Sequence, residues 1–467
     1  MKASSSTLLV SSLLLAAASS TLAAPVSPSD RATPPSPHSH FLRRRAPIRS
    51  DPAKLVEWSK SHRDRLQRKY GLSGRRAAKS RREATSEPLT NLEYDSTWLA
   101  DIDVGTPAKT YAVVLDTGSA DFWLDKGSFD PAASSSFTNS TTAFDLTYGS
   151  GDVAGYLGKD TVTLAGATGN NVVLAVADDV SSDLADSNIN GIMGMGFRAL
   201  SSADADPFWR QMNFDTFSFY LERRTANSKS AKGDKADGGV FTLGGTNSTL
   251  YQGDIDYVPL IEQQYWMLKL EGLSTSGESV ALGTTTRAAI DTGTTLIGGP
   301  DDVVRELYAQ VPGSSELAES PGYYSYPCST PINATISFGQ RQYSIPDADF
   351  SAGSLSSSGD VCMGAVFGAG STAKDNLQWI VGDAFLKNVY TVFTTADGQA
   401  RVGFAALAPG LESTPESDMV VITSAPTTSS SSSSSSSNSG VKHVLPWARS
   451  SVAMAWIAVW VAMAMSM

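Results

Sequence analysis

Two tetrapeptides in this sequence carry a carboxylate in the same setting. Asp116-Thr117-Gly118-Ser119 follows the apolar run Ala112-Val113-Val114-Leu115, and Asp291-Thr292-Gly293-Thr294 follows Ala288-Ala289-Ile290. A chain of ordinary composition and this length would hold roughly 0.1 Asp-Thr-Gly triplets. An aspartate that ends an apolar strand presents its carboxylate at the strand's exit. The glycine two residues later permits the tight backbone that two facing turns require. Brought within hydrogen-bonding distance, two carboxylates cannot both ionise, so one pKa falls and the other rises. The pair then titrates as a unit that shares one proton. Such a pair can take a proton from water with one carboxylate and give one to a peptide carbonyl with the other. Ser119 and Thr294, three residues past each aspartate, can donate to the outer carboxylate oxygens and hold them ionised.

Other engines are excluded by what the central chain lacks. The four histidines are His38, His40, His62 and His443, so none lies among the motifs. A Ser-His-Asp or Cys-His nucleophile, or a His-ligated zinc, cannot operate there. Two cysteines cannot build a zinc ribbon or a disulfide-dense scaffold. A formal charge of −11 makes a poor electrostatic match for nucleic acid. No metal and no organic cofactor is called for.

The elements that must position the carboxylates read mainly as strands. Tyr111–Leu115, Thr161–Leu164, Val172–Leu174 and Val389–Phe393 are β-branched or aromatic runs between Gly-, Asn- and Asp-rich turns. One helix is predicted after Pro300, with Val303, Val304, Leu307, Tyr308 and Val311 on one face. The two halves repeat a pattern. Each acidic turn is followed at a distance by an apolar-apolar-Gly triplet, Ile192-Met193-Gly194 in the first half and Ile380-Val381-Gly382 in the second. Many short strands with few helices imply sandwiches or barrels rather than a doubly wound sheet.

At these residues the chain resembles the pepsin-family aspartic proteases, from about Leu99 to Ala406. Paired carboxylates sharing a proton are a standard example of that family's chemistry. The resemblance rests on Asp116-Thr-Gly-Ser119 with Trp123, on Tyr148-Gly149-Ser150-Gly151, on Asp291-Thr-Gly-Thr294, and on Ile380-Val-Gly-Asp383 before Tyr390-Thr-Val-Phe393. It implies an all-β, bilobed fold with two β-barrel-like lobes and a cleft between them. It also implies catalysis by Asp116 and Asp291, with Gly118 and Gly293 in the supporting turns. Tyr148 would stand on a flap hairpin whose tip is Gly149-Ser150-Gly151, its hydroxyl meeting the Trp123 indole. Cys328 and Cys362 match the family's C-terminal-lobe disulfide. The N-terminal-lobe disulfide of many members is absent, which leaves the loop from Lys126 to Phe137 without a covalent tie and is expected to free it. Asp152, just past the flap, could attract basic substrate side chains or be a solvated turn carboxylate.

The ends read as processing signals. Lys2, the apolar run Leu8–Ala18 and the small residues to Ala23 form a signal peptide, residues 1–23. Residues 24–82 hold sixteen basic and four acidic residues and end in Ser80-Arg81-Arg82. Against an acidic body this block reads as a cleavable pro-segment that inhibits its own enzyme, or as a solvated basic tail. The resemblance places Lys69 of Lys69-Tyr70 against the catalytic carboxylates, with Lys79 as the second candidate, and cleavage after Arg82. The protease domain is expected over 83–410, with lobes of about 83–255 and 256–410. A Ser/Thr-rich stalk follows at 411–438. Residues 439–467 form a glycosylphosphatidylinositol-attachment signal that is removed, with Asn438 as the attachment residue; a short retained membrane anchor is the rival reading. Asn139, Asn247 and Asn333 head N-glycosylation sequons, expected on surface loops.

The expected protein is a monomeric, secreted or lipid-anchored endopeptidase of the fungal cell-surface, yapsin-like kind, acting on polypeptides at acid pH. It lacks a long acidic insertion in the first lobe, which departs from the yapsin pattern. A non-catalytic binding protein on the same fold is the alternative, but such proteins usually lose an aspartate or the flap and this chain keeps both.

Overall fold

The computed structural model describes residues 84–148, 151–182, 184, 186–224, 235–370 and 377–411. All fall in one of the two units into which the chain divides, the one ending at Ala425; the other, Pro426–Met467, lies outside the described residues. The fold is all-β, as the strand-rich pattern predicts, and bilobed, as the family resemblance implies. The strand Lys109–Asp116 contains Tyr111–Leu115, Gly151–Leu164 contains Thr161–Leu164, and Ala167–Val180 contains Val172–Leu174. The predicted helix runs Asp301–Ala309 behind Pro300 and buries Val303, Val304, Leu307 and Tyr308. No helix among the described residues is long and apolar enough to cross a membrane.

The sequence repeat is a topological repeat. Lys109–Asp116 pairs in parallel with Gly191–Gly194, placing Leu115 opposite Met193 and Asp116 opposite Gly194. Arg287–Ile290 pairs in parallel with Trp379–Val381, placing Ile290 opposite Val381. The strand after each acidic turn then runs antiparallel to that same distant strand, Phe122–Asp125 in the first lobe and Ile297–Gly299 in the second. Each apolar-apolar-Gly triplet is therefore threaded between the two arms of an acidic turn. Its glycine is dictated by close approach. A Cβ on Gly194 would lie 2.4 Å from the Ala120 backbone, and one on Gly382 would lie 2.0 Å from the Thr294 carbonyl oxygen.

A shared sheet joins the lobes. Thr85–Leu92, Lys235–Leu243, Thr216–Leu221, Tyr390–Thr394, Arg401–Leu407 and Tyr251–Pro259 are consecutive neighbours in the thirteen-stranded sheet. Phe217 and Phe393 stack across it at 5.1 Å, and the Trp266 ring lies 5.1 Å from Phe393. Position 255 falls inside the strand Tyr251–Pro259 of this sheet.

The loop from Lys126 to Phe137, expected to be freer without its disulfide, is held by other means. Phe129 is buried with its ring 5.7 Å from Tyr111 and 5.9 Å from Phe137. Thr106 N–H donates to Ser134 Oγ at 3.0 Å, Ser135 N–H donates to the Thr106 carbonyl at 2.8 Å, and Ser136 Oγ donates to Asp160 Oδ1 at 2.6 Å. In the second lobe Cys328 and Cys362 form the expected disulfide.

Two carboxyls, buried Glu87 and half-buried Glu222, make the fold sensitive to pH. Burial, reinforced by Asp101 and Asp103, raises the Glu87 pKa from 4.5 to about 8, although Ala165 N–H donates to it. Burial with Asp237 raises Glu222 from 4.5 to about 7. A carboxyl whose pKa rises on folding binds its proton more tightly folded than unfolded, so unfolding releases protons and stability falls as pH climbs. The contribution is complete below pH 4.5 and is lost as pH rises through about 8 for Glu87. Thermal denaturation followed by circular dichroism should show Tm falling over that window. Glu87→Gln, which keeps an acceptor for Ala165 without the titration, should reduce that fall by a few degrees.

Candidate active site

Asp116 and Asp291 stand at the ends of their strands, 2% and 0% exposed. The turns that carry them are tied to each other by the threonine in each. Thr117 N–H donates to Thr292 Oγ1 at 3.1 Å, and Thr292 N–H donates to Thr117 Oγ1 at 2.9 Å. The Thr117 hydroxyl donates to the Ile290 carbonyl at 2.9 Å and the Thr292 hydroxyl to the Leu115 carbonyl at 2.6 Å. Every bond crosses from one lobe to the other and is buried. These two threonines were not singled out from the sequence. The signal was present, since they are the middle residues of both copies of the duplicated triplet.

Each carboxylate is held the same way. Gly118 N–H donates to Asp116 Oδ1 at 2.9 Å, and the Ser119 hydroxyl donates to Oδ2 at 2.5 Å. Gly293 N–H donates to Asp291 Oδ1 at 3.0 Å, and the Thr294 hydroxyl donates to Oδ2 at 2.5 Å. The predicted supporting residues Gly118, Ser119, Gly293 and Thr294 are thus all brought to the pair. A Cβ on Gly293 would lie 2.2 Å from Asp116 Oδ1, so the second turn passes directly against the first carboxylate. No larger residue fits there.

On the first-lobe side, Trp123 from Phe122–Asp125 and Tyr148 at the end of Thr138–Tyr148 are both buried. The Trp123 indole N–H donates to Tyr148 Oη at 2.7 Å, leaving the tyrosine hydroxyl proton to face elsewhere. Burial, with Asp116 and Asp121 nearby, raises the Tyr148 pKa well above its ordinary value, so the phenol stays protonated. Gly151 pairs with Tyr148 across the hairpin. Gly149 and Ser150, the predicted tip, lie outside the described residues, as do Lys69, Lys79, Arg82 and Asn438.

The second-lobe side carries a third carboxyl whose role is not evident from sequence alone. Asp383 follows Gly382, is 1% exposed, and its N–H donates to the Thr294 carbonyl at 2.8 Å. Its Oδ1 is buried without a hydrogen-bond partner. Burial, then the charge of Asp291, raises its pKa well above the usual carboxylate range, and Lys387 opposes the shift. Lys387, itself 1% exposed at the side chain, lies 2.8 Å from Asp349 and 3.3 Å from Asp95. A neutral Asp383 beside Asp291 costs little; an ionised one would be a buried like charge.

The remaining predicted positions lie at the surface. Asn139 and Asn333 are exposed and Asn247 is half-buried. Asn139 opens the edge strand Thr138–Tyr148 rather than a loop, just where its pairing register shifts before Ala143. Asp152 is exposed.

A two-lobed β-fold that faces paired, hydroxyl-supported aspartates across a symmetric turn pair, with a tyrosine-bearing hairpin beside them, defines a carboxylate-dependent peptide hydrolase. The family model described as eukaryotic aspartyl protease matches residues 97–407. The chain is 35% identical to major aspartyl peptidase 1 of Cryptococcus neoformans var. grubii over 73% of this chain and 74% of that protein. It is 33% identical to an aspartic protease of Phaffia rhodozyma over 76% and 87% of the two. With pepsin-3 of Oryctolagus cuniculus it shares 29% over 69% and 84%. The chain belongs to the pepsin-like eukaryotic aspartyl protease family and is an enzyme.

Asp383 gives the site a pH dependence that can be isolated. Its proton is held through acid pH and is lost as pH rises, which places a charge beside Asp291. Asp383→Asn should therefore leave the acid limb of the kcat/KM profile in place and move the alkaline limb to lower pH, because the like charge that would help Asp291 and Asp116 keep a proton is gone. An unchanged alkaline limb would mean that Asp383 does not titrate in the working range.

Proposed function

We propose that the chain is an acid-acting endopeptidase in which Asp116 and Asp291 share one proton and activate water on an extended peptide. The ionised carboxylate takes a proton from water as the oxygen attacks the scissile carbonyl, while the protonated one gives its proton to the carbonyl oxygen. Collapse of the resulting diol breaks the C–N bond and delivers a proton to the departing amine. No covalent intermediate is required. The observation that carries this reading is the buried, reciprocal threonine exchange, which holds the two aspartate-bearing turns in register. Substrate would lie extended beneath the Tyr148 hairpin, its own N–H and C=O groups satisfied as in strand addition.

The acidic body, with 43 acidic and 17 basic residues over 83–438, would hold the basic 24–82 segment at neutral pH and release it as carboxylates protonate. In this scheme Lys69, or Lys79, pairs with the dyad in the zymogen. Activation ends at Arg82, by the enzyme itself or by a dibasic-cleaving protease. The serine run Ser429–Ser437 and the apolar tail Val452–Met467 support display at the cell surface through a lipid on Asn438, as in the yapsin-like branch.

The test is a peptide-library cleavage profile between about pH 3 and 6, the range in which such dyads work. Wild type should cleave internal bonds, and Asp291→Asn should lose about 10²–10⁴-fold in kcat. Absence of cleavage across that range would refute the protease assignment, and unchanged cleavage by the variant would refute the dyad. Conversion of the precursor should accelerate at acid pH and stall when Arg82 is replaced. A precursor that stays intact in acid with or without Arg82 would refute the activation scheme.

A further inference from the structure

The strand Ala167–Val180 runs antiparallel to Gly151–Leu164, the return strand of the Tyr148 hairpin, with Val180 opposite Val153. The ladder does not stop there. Ser181 N–H donates to the Asp152 carbonyl at 3.0 Å, and Asp152 N–H donates to Ser181 Oγ at 3.1 Å. The second bond uses a side chain where a ladder would use a carbonyl. The Ser181 carbonyl is engaged elsewhere, accepting from Leu184 N–H at 2.9 Å. The hydroxyl therefore supplies the acceptor that the turning backbone withdraws.

Gly151 lies directly against the same side chain. A Cβ on Gly151 would be 1.7 Å from Ser181 Oγ and 2.8 Å from Ser181 Cβ. Its φ of +146° is a conformation L side chains rarely adopt. Gly151 is the cross-strand partner of Tyr148. The short turn that begins at Ser181 also places Leu184 and Val180 on the apolar cluster of Trp123, Phe144, Tyr148 and Val153. Ser181 thus grips the hairpin on its polar edge while its neighbours hold the apolar face from which Tyr148 projects.

We propose that Ser181 is a positioning residue for peptide binding: it fixes Gly151, and through it the height at which Tyr148 meets Trp123 over the Asp116 side of the cleft. The inference rests on the protease reading above. Its hydroxyl touches no reacting atom, so its loss should weaken the hold on substrate rather than the chemistry, raising KM with kcat nearly unchanged.

The experiment compares wild type, Ser181→Ala, Ser181→Thr and Ser181→Val on one long peptide, with active enzyme counted by titration against a tight inhibitor. Loss of one hydrogen bond of this kind predicts a KM raised by roughly threefold to tenfold in S181A. S181T should stay near wild type, and S181V, its isostere without the hydroxyl, should follow S181A. If S181A does not accumulate as folded protein, the Thr and Val pair makes the same comparison by itself. In a Tyr148→Phe background, where the indole bond is already lost, S181A should add less to KM than it does alone. A KM within twofold of wild type in S181A, equal values for S181T and S181V, or full additivity with Tyr148→Phe would each overturn the proposal. An active wild type with an unaffected S181A removes this inference alone, whereas an inactive wild type removes the protease reading and this inference with it.

Discussion

Thr117 and Thr292 exchange hydrogen bonds across the two acidic turns. Each hydroxyl accepts the other threonine's N–H and donates to the carbonyl just before the other aspartate. Each such bond contributes about 0.5–1.5 kcal/mol net, but a buried group left unpaired costs about 1–3 kcal/mol. The exchange is therefore close to all-or-none: a small displacement of one lobe would orphan several buried groups at once. That stiffness makes the rest of the site possible. Two ionised carboxylates repel, and a shared proton alone would not fix the position of the turns that carry them. The threonines, the glycine approach at Gly293 and the shared sheet beneath impose the proximity that the charges oppose.

Symmetry of the turns does not extend to their surroundings. After Gly194 the first lobe places Met195, fully buried, whose N–H donates to the Asp116 carbonyl at 2.7 Å. After Gly382 the second lobe places Asp383. The hairpin with Tyr148 and its Trp123 partner lies on the Asp116 side. Two identical residues thus meet different neighbours: a neutral phenol with buried Asp121 near Asp116, and buried Asp383 as the larger influence beside Asp291. The duplicated frame sets the distance, and the unduplicated neighbours distinguish the partners.

Much of this was legible in the sequence because it is local or repeated. The duplicated Asp-Thr-Gly turns, the hydroxyls three residues on, the flap tyrosine and the helix after Pro300 each announce themselves within a short window. What escaped notice depends on contacts far apart in the chain. Thr117 and Thr292 matter only because 175 residues of separation are closed by the fold. Asp383 looks like an ordinary helix-start acid until burial places it against Asp291. Ser181 is one more serine in a loop until Gly151 is found resting on it. The loop at Lys126 to Phe137 was misjudged for a related reason. A missing disulfide is visible in sequence, but the serine hydrogen bonds and the edge-to-face contacts of Phe129 with Tyr111 and Phe137 are not.

Desolvation links the stability of this fold to its proposed chemistry. Glu87, Glu222, Asp121 and Asp383 all have their pKa values raised with burial as the leading cause. Asp121 is raised although Ser201 Oγ and the N–H groups of Ser202 and Ala203 all donate to it, which shows how strongly the interior disfavours charge. The interior accepts such carboxyls most readily as neutral acids, and each keeps that form at a higher pH than the unfolded chain would. The proposed dyad likewise needs a proton retained between two carboxylates. A rise in pH removes protons from the supporting frame and from the reacting pair in the same direction. The frame's tolerance comes from the cost of charge in the interior and the reaction's requirement from two like charges held close, and both favour a retained proton.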